Sequence, residues 1–234
     1  MIELRDVRVA VAVPQAGSPA ATRVLLDEVD LTLSERRISI IGANGSGKST
    51  LLRLLNGLIL PSQGHVLVDG LDTRSDGRRV RQRVGFVFTD PLAQLVMATP
   101  ADDIELSLRR LIKDRSARFR RARDLLAARG LAALADQSVY DLSGGERQLV
   151  ALTSILATEP AVVVADEPTT LLDLRNRERI REALAGLDQQ VVLATHDLEM
   201  ASDADRVIVV DSGRIVADGP APESIAFYRE LMRR

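Results

Sequence analysis

The octet Gly42-Ala43-Asn44-Gly45-Ser46-Gly47-Lys48-Ser49 separates a short apolar run, Arg37 to Ile41, from a helical leucine pattern at Leu51, Leu52, Leu54 and Leu55. It satisfies G-x-x-x-x-G-K-[ST], and an apolar strand, a glycine-rich turn and a helix in that order open an α/β unit. The glycines let backbone N–H groups turn inward as an anion nest, and the helix behind them presents its positive end to the same place. Lys48 adds a full positive charge for β- and γ-phosphates. The Ser49 hydroxyl suits Mg²⁺, a hard cation that prefers oxygen. A glycine-rich turn that binds nothing is the competing reading. The strand before it and the helix after it argue for a nucleotide site made of Gly42, Asn44, Gly45, Gly47, Lys48, Ser49 and Thr50.

The rest of the chain is consistent with that start. Its 234 residues fit one large domain or two lobes sharing a core, and a hydrophobic fraction of 46% is ordinary for a globular protein. Thirty-one basic and 33 acidic residues give a net charge of −2, which produces no overall attraction to nucleic acid or anionic lipid. The absence of cysteine excludes disulfides and thiolate metal sites. No segment approaches the roughly 20 apolar residues that cross a bilayer, so any membrane role is expected through a partner. Residues 2–13 alternate as a strand (Ile2, Leu4, Val7, Val9, Val11). Pro14-Gln15-Ala16-Gly17-Ser18-Pro19 predicts a loop, and the strand pattern resumes from Leu25 to Leu33. From Pro91 to about Ala157 the chain is rich in Leu, Ala and Arg at helical spacing. Beyond it, strands (161–165, 191–195, 206–210) alternate with helix, and Asp211-Ser212-Gly213 predicts a hairpin turn. The expectation is an α/β core, residues 1–88 and 158–234, with a helical subdomain at 89–157, and no internal repeat.

Three further segments carry chemistry. Ala161 to Ala165 is an apolar strand that ends in Asp166-Glu167-Pro168. Asp166 there can hold Mg²⁺ through water and Glu167 can orient an attacking water, although a strand and turn alone would also read this way. Thr195-His196-Asp197 follows another apolar strand. A histidine at a strand end is usually structural, but a neutral imidazole there could hydrogen-bond a γ-phosphate or the attacking water. In Leu142-Ser143-Gly144-Gly145-Glu146-Arg147-Gln148, Ser143 and Glu146 form a capping box for the helix that follows. Capping does not explain two glycines in a first helical turn, which they weaken. Close approach of backbone to an anion does.

With these residues together, the chain resembles the ABC (ATP-binding cassette) ATPases along essentially its whole length. In that resemblance Gly42 to Ser49 is the Walker A loop, Leu142 to Glu146 the signature, Val162 to Asp166 with Glu167 the Walker B strand, Asp173 the D-loop acid and His196 the switch histidine. The resemblance implies an ABC ATPase fold, a P-loop core with an antiparallel β lobe and a helical subdomain. It implies ATP and Mg²⁺ as cofactors, with Glu167 and His196 catalytic and Ser49 and Asp166 at the metal. It also implies head-to-tail dimers, of this chain or with a related subunit, in which Ser143, Gly144 and Gly145 of one copy close over ATP held by the other. Hydrolysis would then require the dimer, and integral membrane subunits would receive the motion at the cytoplasmic face of the cell membrane.

Two departures stand out. Thr89 occupies the place where the family usually carries a glutamine that touches Mg²⁺, so Thr89 becomes the third metal candidate. No aromatic residue precedes Phe86, whereas the family often stacks one on adenine; weak discrimination between ATP and GTP is the expectation. The segment Phe88-Thr89-Asp90-Pro91-Leu92-Ala93-Gln94-Leu95 is similar to that of ATPases in energy-coupling factor (ECF) importers of vitamins or transition-metal ions, Gln94 being the second glutamine of that group. Thr89 is most similar to the biotin-type members. A soluble ABC ATPase of DNA repair or translation is the alternative, but those carry a long coiled-coil insertion or a second cassette. A non-hydrolysing regulatory module would not need Glu167 and His196, and a P-loop kinase would leave Ser143-Gly144-Gly145 without a role. The helical subdomain also holds Arg109, Arg110, Lys113, Arg115, Arg118, Arg120, Arg121 and Arg123. A solvated helix surface is the plain reading, and contact with anionic headgroups or an acidic partner segment the sharper one. No recognition motif or aromatic platform accompanies them, so no nucleic acid is expected.

Overall fold

The structure, a computed structural model, describes residues 1–15 and 18–233. In chain order its elements are β1 (Ile2–Gln15), β2 (Ser18–Leu33), β3 (Arg37–Ile41), α1 (Lys48–Leu55), β4 (Gln63–Val68), β5 (Leu71–Asp72) and α2 (Gly77–Arg83). There follow β6 (Val84–Val87), α3 (Pro100–Leu108), α4 (Arg115–Ala127), α5 (Gly144–Leu156), β7 (Val162–Asp166) and α6 (Leu174–Ala185). The last are β8 (Gln190–Ala194), α7 (Leu198–Ala201), β9 (Arg206–Asp211), β10 (Arg214–Gly219) and α8 (Ala221–Leu231). Two compact units emerge, Met1–Val84 with Gln190–Arg234, and Gly85–Gln189.

The first unit holds two groups of strands. An antiparallel sheet runs in the order β2-β1-β4-β5. Its inward residues change parity: Ile2 and Leu4 are buried, then Val7 and Val9. A bulge at Asp6, which takes a left-handed φ of 49°, absorbs the extra residue. Gly64 lies against that bulge so closely that a Cβ would stand 2.2 Å from the Asp6 carbonyl oxygen, so glycine alone fits there. The loop expected at 14–19 is corrected: β1 continues to Gln15 and β2 begins at Ser18, paired Gln15↔Ser18, while Ala16 and Gly17 lie outside the described residues. The prolines are tolerated because β4 accompanies β1 only as far as Arg8↔Gln63 and β2 is the end strand of the sheet, so both outer sides of the hairpin there are edges.

In the second group, β3 lies between β8 and β9, parallel to both, and β10 pairs antiparallel with β9. A parallel strand covered on both faces reads as a continuous apolar run, and Ile38, Ile40 and Ile41 are fully buried. α8 packs Ala221 and Ile225 against Ile41, Val207 and Val209. The expected turn is present, with Ser212 and Gly213 at φ of 48° and 80°, the geometry a two-residue hairpin demands.

In the second unit β6 and β7 are neighbours, and α3, α4 and α5 bury Ile104, Leu108, Ala122, Leu126, Val150 and Leu152. Polar side chains start these helices: Thr99 accepts from Asp102 N–H, Asp114 from Ala117 N–H and Ser143 from Glu146 N–H. Asp103, only 4% exposed, accepts from the N–H groups of Val96 (2.8 Å) and Met97 (3.1 Å) and from the Ser154 hydroxyl (2.7 Å). Asp103→Ala would leave three donors without their acceptor. The expected loss is about 3 kcal/mol of unfolding free energy, read as a lower urea midpoint at unchanged slope.

Candidate functional site

β3 ends at Ile41 and the glycine-rich octet begins. A Cβ on Gly42 would lie 2.1 Å from the Val210 carbonyl oxygen, so the loop can leave β3 beside β9 only as glycine. Gly47, at φ 114°, ends the loop with no side chain capping α1, and the first turn of the helix is left uncapped. Lys48 is 6% exposed, and its ammonium donates to the carbonyls of Gly42 (2.8 Å) and Ala43 (3.1 Å), lying across the mouth of the loop. The Ser46 hydroxyl is buried in the loop without a hydrogen-bond partner. An uncapped helix start, a buried cation and an orphaned hydroxyl together fit a polyanion.

The loop is also propped from outside by residues that carry no motif. Gly213 N–H donates to the Ser46 carbonyl (2.8 Å), and the Gly213 carbonyl accepts from Asp27 N–H (2.9 Å). The β9–β10 turn thus clamps the loop and joins it to β2, with Leu25 O only 2.8 Å from where a Gly213 Cβ would be. The Ser-Gly turn was legible in the sequence; the surface it supports was not. On the neighbouring strand, Thr195 N–H donates to Ile40 O (3.1 Å), so β8 and β3 end together. His196 follows, exposed, at that end of the strands, before Asp197 caps α7 by accepting from Glu199 and Met200 N–H.

In the second unit β7 delivers a buried Asp166, then Glu167 in the left-handed region at φ 49°. Positive φ on a charged β-carbon residue is strained, and such strain is retained where surrounding structure enforces it. Thr170 enforces part of it, with its N–H on Glu167 O (3.3 Å) and its hydroxyl on Glu167 Oε2 (3.1 Å). The Thr89 hydroxyl donates to the Asp166 carbonyl (2.7 Å), tying the end of β6 to the end of β7. Phe88, just before, has both main-chain groups held by glutamines: its N–H donates to Gln94 Oε1 (3.3 Å) and its carbonyl accepts from Gln148 Nε2 (3.1 Å). Gln94 Nε2 also donates to Ala151 O (2.7 Å), so the segment at Thr89 is fastened to α5.

The predicted capping box is present in full. Ser143 N–H donates to Glu146 Oε2 (2.8 Å), Glu146 N–H to Ser143 Oγ (3.3 Å), and the Ser143 hydroxyl to Glu146 Oε2 (2.7 Å). These bonds hold the Glu146 carboxyl below the usual carboxylate range. The two glycines differ. Gly144 is exposed, with nothing nearer a Cβ than Leu172 at 3.5 Å. Gly145 is buried, and a Cβ would collide with Asn176 at 2.2 Å. Asn176 is itself fixed by Asp173, the cap of α6, which accepts its N–H (2.8 Å) and its amide (3.1 Å). Gly145 therefore lets α6 pack against the first turn of α5, a reason the sequence reading did not contain.

The family model described as "ABC transporter" matches residues 26–170, which takes in the phosphate loop, Thr89, the capped glycines and the acids at the end of β7. The chain belongs to the ABC transporter family. It is an ATP-binding subunit, an ATPase coupled to transport across a membrane. This ABC ATPase is 44% identical over 216 residues to the biotin transport ATP-binding protein BioM of Rhizobium etli, covering 92% of this chain and 96% of that one. It is 38% identical over 219 residues to the energy-coupling factor transporter ATP-binding protein EcfA1 of Bacillus subtilis, covering 91% and 78%. Among solved structures, the ATP-binding cassette MJ0796, a dimer in a post-hydrolysis state with ADP and Pi, superposes with a TM-score of 0.83 at 29% identity over 94% of this chain and 99% of that one. Among the described residues of this ABC ATPase no helix is long and apolar enough to cross a membrane. Nor do they contain a group of three or more His, Asp or Glu able to hold a metal. Mg²⁺ bound with few protein ligands, the rest being water and phosphate, is compatible with that donor set.

Proposed function

We propose that this chain is the ATPase of an energy-coupling factor importer for a vitamin, biotin being the candidate cargo, and that it works as a head-to-tail dimer beneath integral membrane subunits. The observation that carries the reading is the 44% identity to BioM across nearly the full length of both chains. The fastening of Gln94, the second glutamine of the ECF-like segment, to Phe88 and Ala151 agrees with it. As for the residues, Lys48 and the N–H groups of the loop from Asn44 through Thr50 hold the phosphates, with Gly42, Gly45 and Gly47 allowing the backbone to approach them. Mg²⁺, held by Ser49 and Asp166 with Thr89 near the Asp166 end, offsets phosphate charge. Glu167 orients and polarises the attacking water, and His196 contacts the γ-phosphate. Ser143, Gly144 and Gly145 serve the nucleotide of the partner copy. The cassette is one domain, with residues 89–157 as its helical subdomain, and it sits peripherally on the cytoplasmic face of the membrane.

The test is to purify the tagged chain from native membranes in mild detergent and identify its companions. A scaffold membrane protein together with a small vitamin-binding membrane subunit is expected, with bound biotin naming the cargo. A permease of another kind would overturn the ECF reading while leaving the ATPase in place.

A further inference from the structure

Between Arg109 and Arg123 the chain carries eight Lys and Arg residues and a single acid, Asp114, although its net charge is −2. Asp114 is consumed as the cap of α4, accepting from Ala117 N–H at 2.6 Å. Three of the cations are also engaged. Arg118 donates to Ile112 O and Lys113 O and pairs with Glu105, Arg110 reaches Thr158 O, and Arg123 pairs with Asp136. Among the described residues no hydrogen bond or ion pair occupies the side chains of the other five, Arg109, Lys113, Arg115, Arg120 and Arg121, and all five are exposed. α4 buries Ala122 and Leu126 on its inner side. Phe119 stands at i, i+3 and i+7 with those two residues, at the N-terminal edge of the same stripe, where it stays 49% exposed with the Arg123 guanidinium over the ring at 4.5 Å, and Leu111 just before the helix is 39% exposed.

We propose that the N-terminal half of α4 and the segment before it bind anionic phospholipid headgroups, with Phe119 entering the interface. Asp124, exposed one turn after Arg120 and Arg121, offsets part of this charge, but cations outnumber acids eight to two from Arg109 to Asp124, and a solvated helix surface does not need a half-exposed phenylalanine among them. Cations flanking an exposed aromatic and an aliphatic side chain are the composition of helices that lie in a membrane interface. Phe119 is the one aromatic residue in the sequence between Phe88 and Tyr140, so the basic segment carries no run of aromatics of the kind that stacks single-stranded nucleic acid. The transport role places the subunit next to a membrane, and the patch supplies an attachment independent of its protein partners.

The chain has no tryptophan, so Phe119→Trp introduces a single reporter. The full chain carrying it is mixed with vesicles of phosphatidylcholine alone and of phosphatidylcholine with phosphatidylglycerol. Flotation and a blue shift of the indole are expected with the anionic vesicles only, and both should fade as salt shortens the Debye length. Each cation at such a surface contributes about a factor of five to partitioning, so Arg115→Gln/Arg120→Gln/Arg121→Gln should weaken it about a hundredfold. Far-UV spectra and melting temperatures verify that both variants are folded. Equal binding to zwitterionic vesicles, no binding to anionic ones, or a triple variant that binds undiminished overturns the proposal. Flotation without an indole shift overturns the placement of Phe119. An indole shift with an acidic peptide or an oligonucleotide, but not with vesicles, assigns the face to a protein or nucleic-acid partner instead.

Discussion

Glu167→Gln is expected to lower ATP turnover by about two to four orders of magnitude, the range in which positioned acid–base groups contribute, while nucleotide affinity is kept. The substitution preserves shape and removes only the charge and the ability to take a proton. The amide can still accept the Thr170 hydroxyl bond at 3.1 Å, so the strained turn at φ 49° keeps its support. None of the phosphate-loop residues is touched. Nucleotide therefore binds and does not leave as product, and the dimer expected of this family should accumulate with ATP. Single-turnover phosphate release and size-exclusion chromatography with ATP give the two readouts. Full turnover in this variant would remove Glu167 from its role, whereas lost binding would mean that the change disturbs the fold around β7.

Lys48→Ala should act on the other half of the cycle and weaken nucleotide binding by about a hundredfold or more, the cost of truncating one partner of a buried charged contact. Lys48 is 6% exposed and the loop offers no second side-chain cation to replace it. The substitution also strips the Gly42 and Ala43 carbonyls of a donor, so stability should fall by about 1–2 kcal/mol. Calorimetric titration with a non-hydrolysable ATP analogue measures the first effect and thermal melting without nucleotide the second. A variant that melts earlier but binds undiminished would assign Lys48 to holding the loop together.

Much of this was legible because it is local. The octet 42–49, the Ser143–Glu146 box, the acids at the end of β7 and the Ser212-Gly213 turn each depend on residues a few positions apart. What escaped depends on partners far along the chain. Pro14 to Pro19 looked like a loop because proline tolerance in a strand depends on whether a third strand lies alongside, and β4 stops at the Arg8↔Gln63 pair. Gly145 has a packing reason beside the one read from the sequence, because Asn176, 31 positions on, fills the space its missing Cβ leaves. The amide brackets on Phe88 come from Gln148, 60 positions away, and no periodicity encodes such a bond. Gly213 carried only the signal of a turn, although it supports the nucleotide loop.

That last feature sets an order of events in biosynthesis. β3 and the octet leave the ribosome about 150 residues before the strands that flank β3, which lie between Gln190 and Asp211, and the turn that steadies the loop follows them at Gly213. A nascent chain short of that point has the whole octet but lacks the neighbouring strands and the turn that hold it in shape. Parallel pairing across so long a separation is slow to form, because the loop must close before its contacts stabilise anything. The subunit thus becomes competent to hold nucleotide only after the turn at Gly213 has been made, and until then an apolar strand stands without its neighbours, the period in which a chaperone matters most.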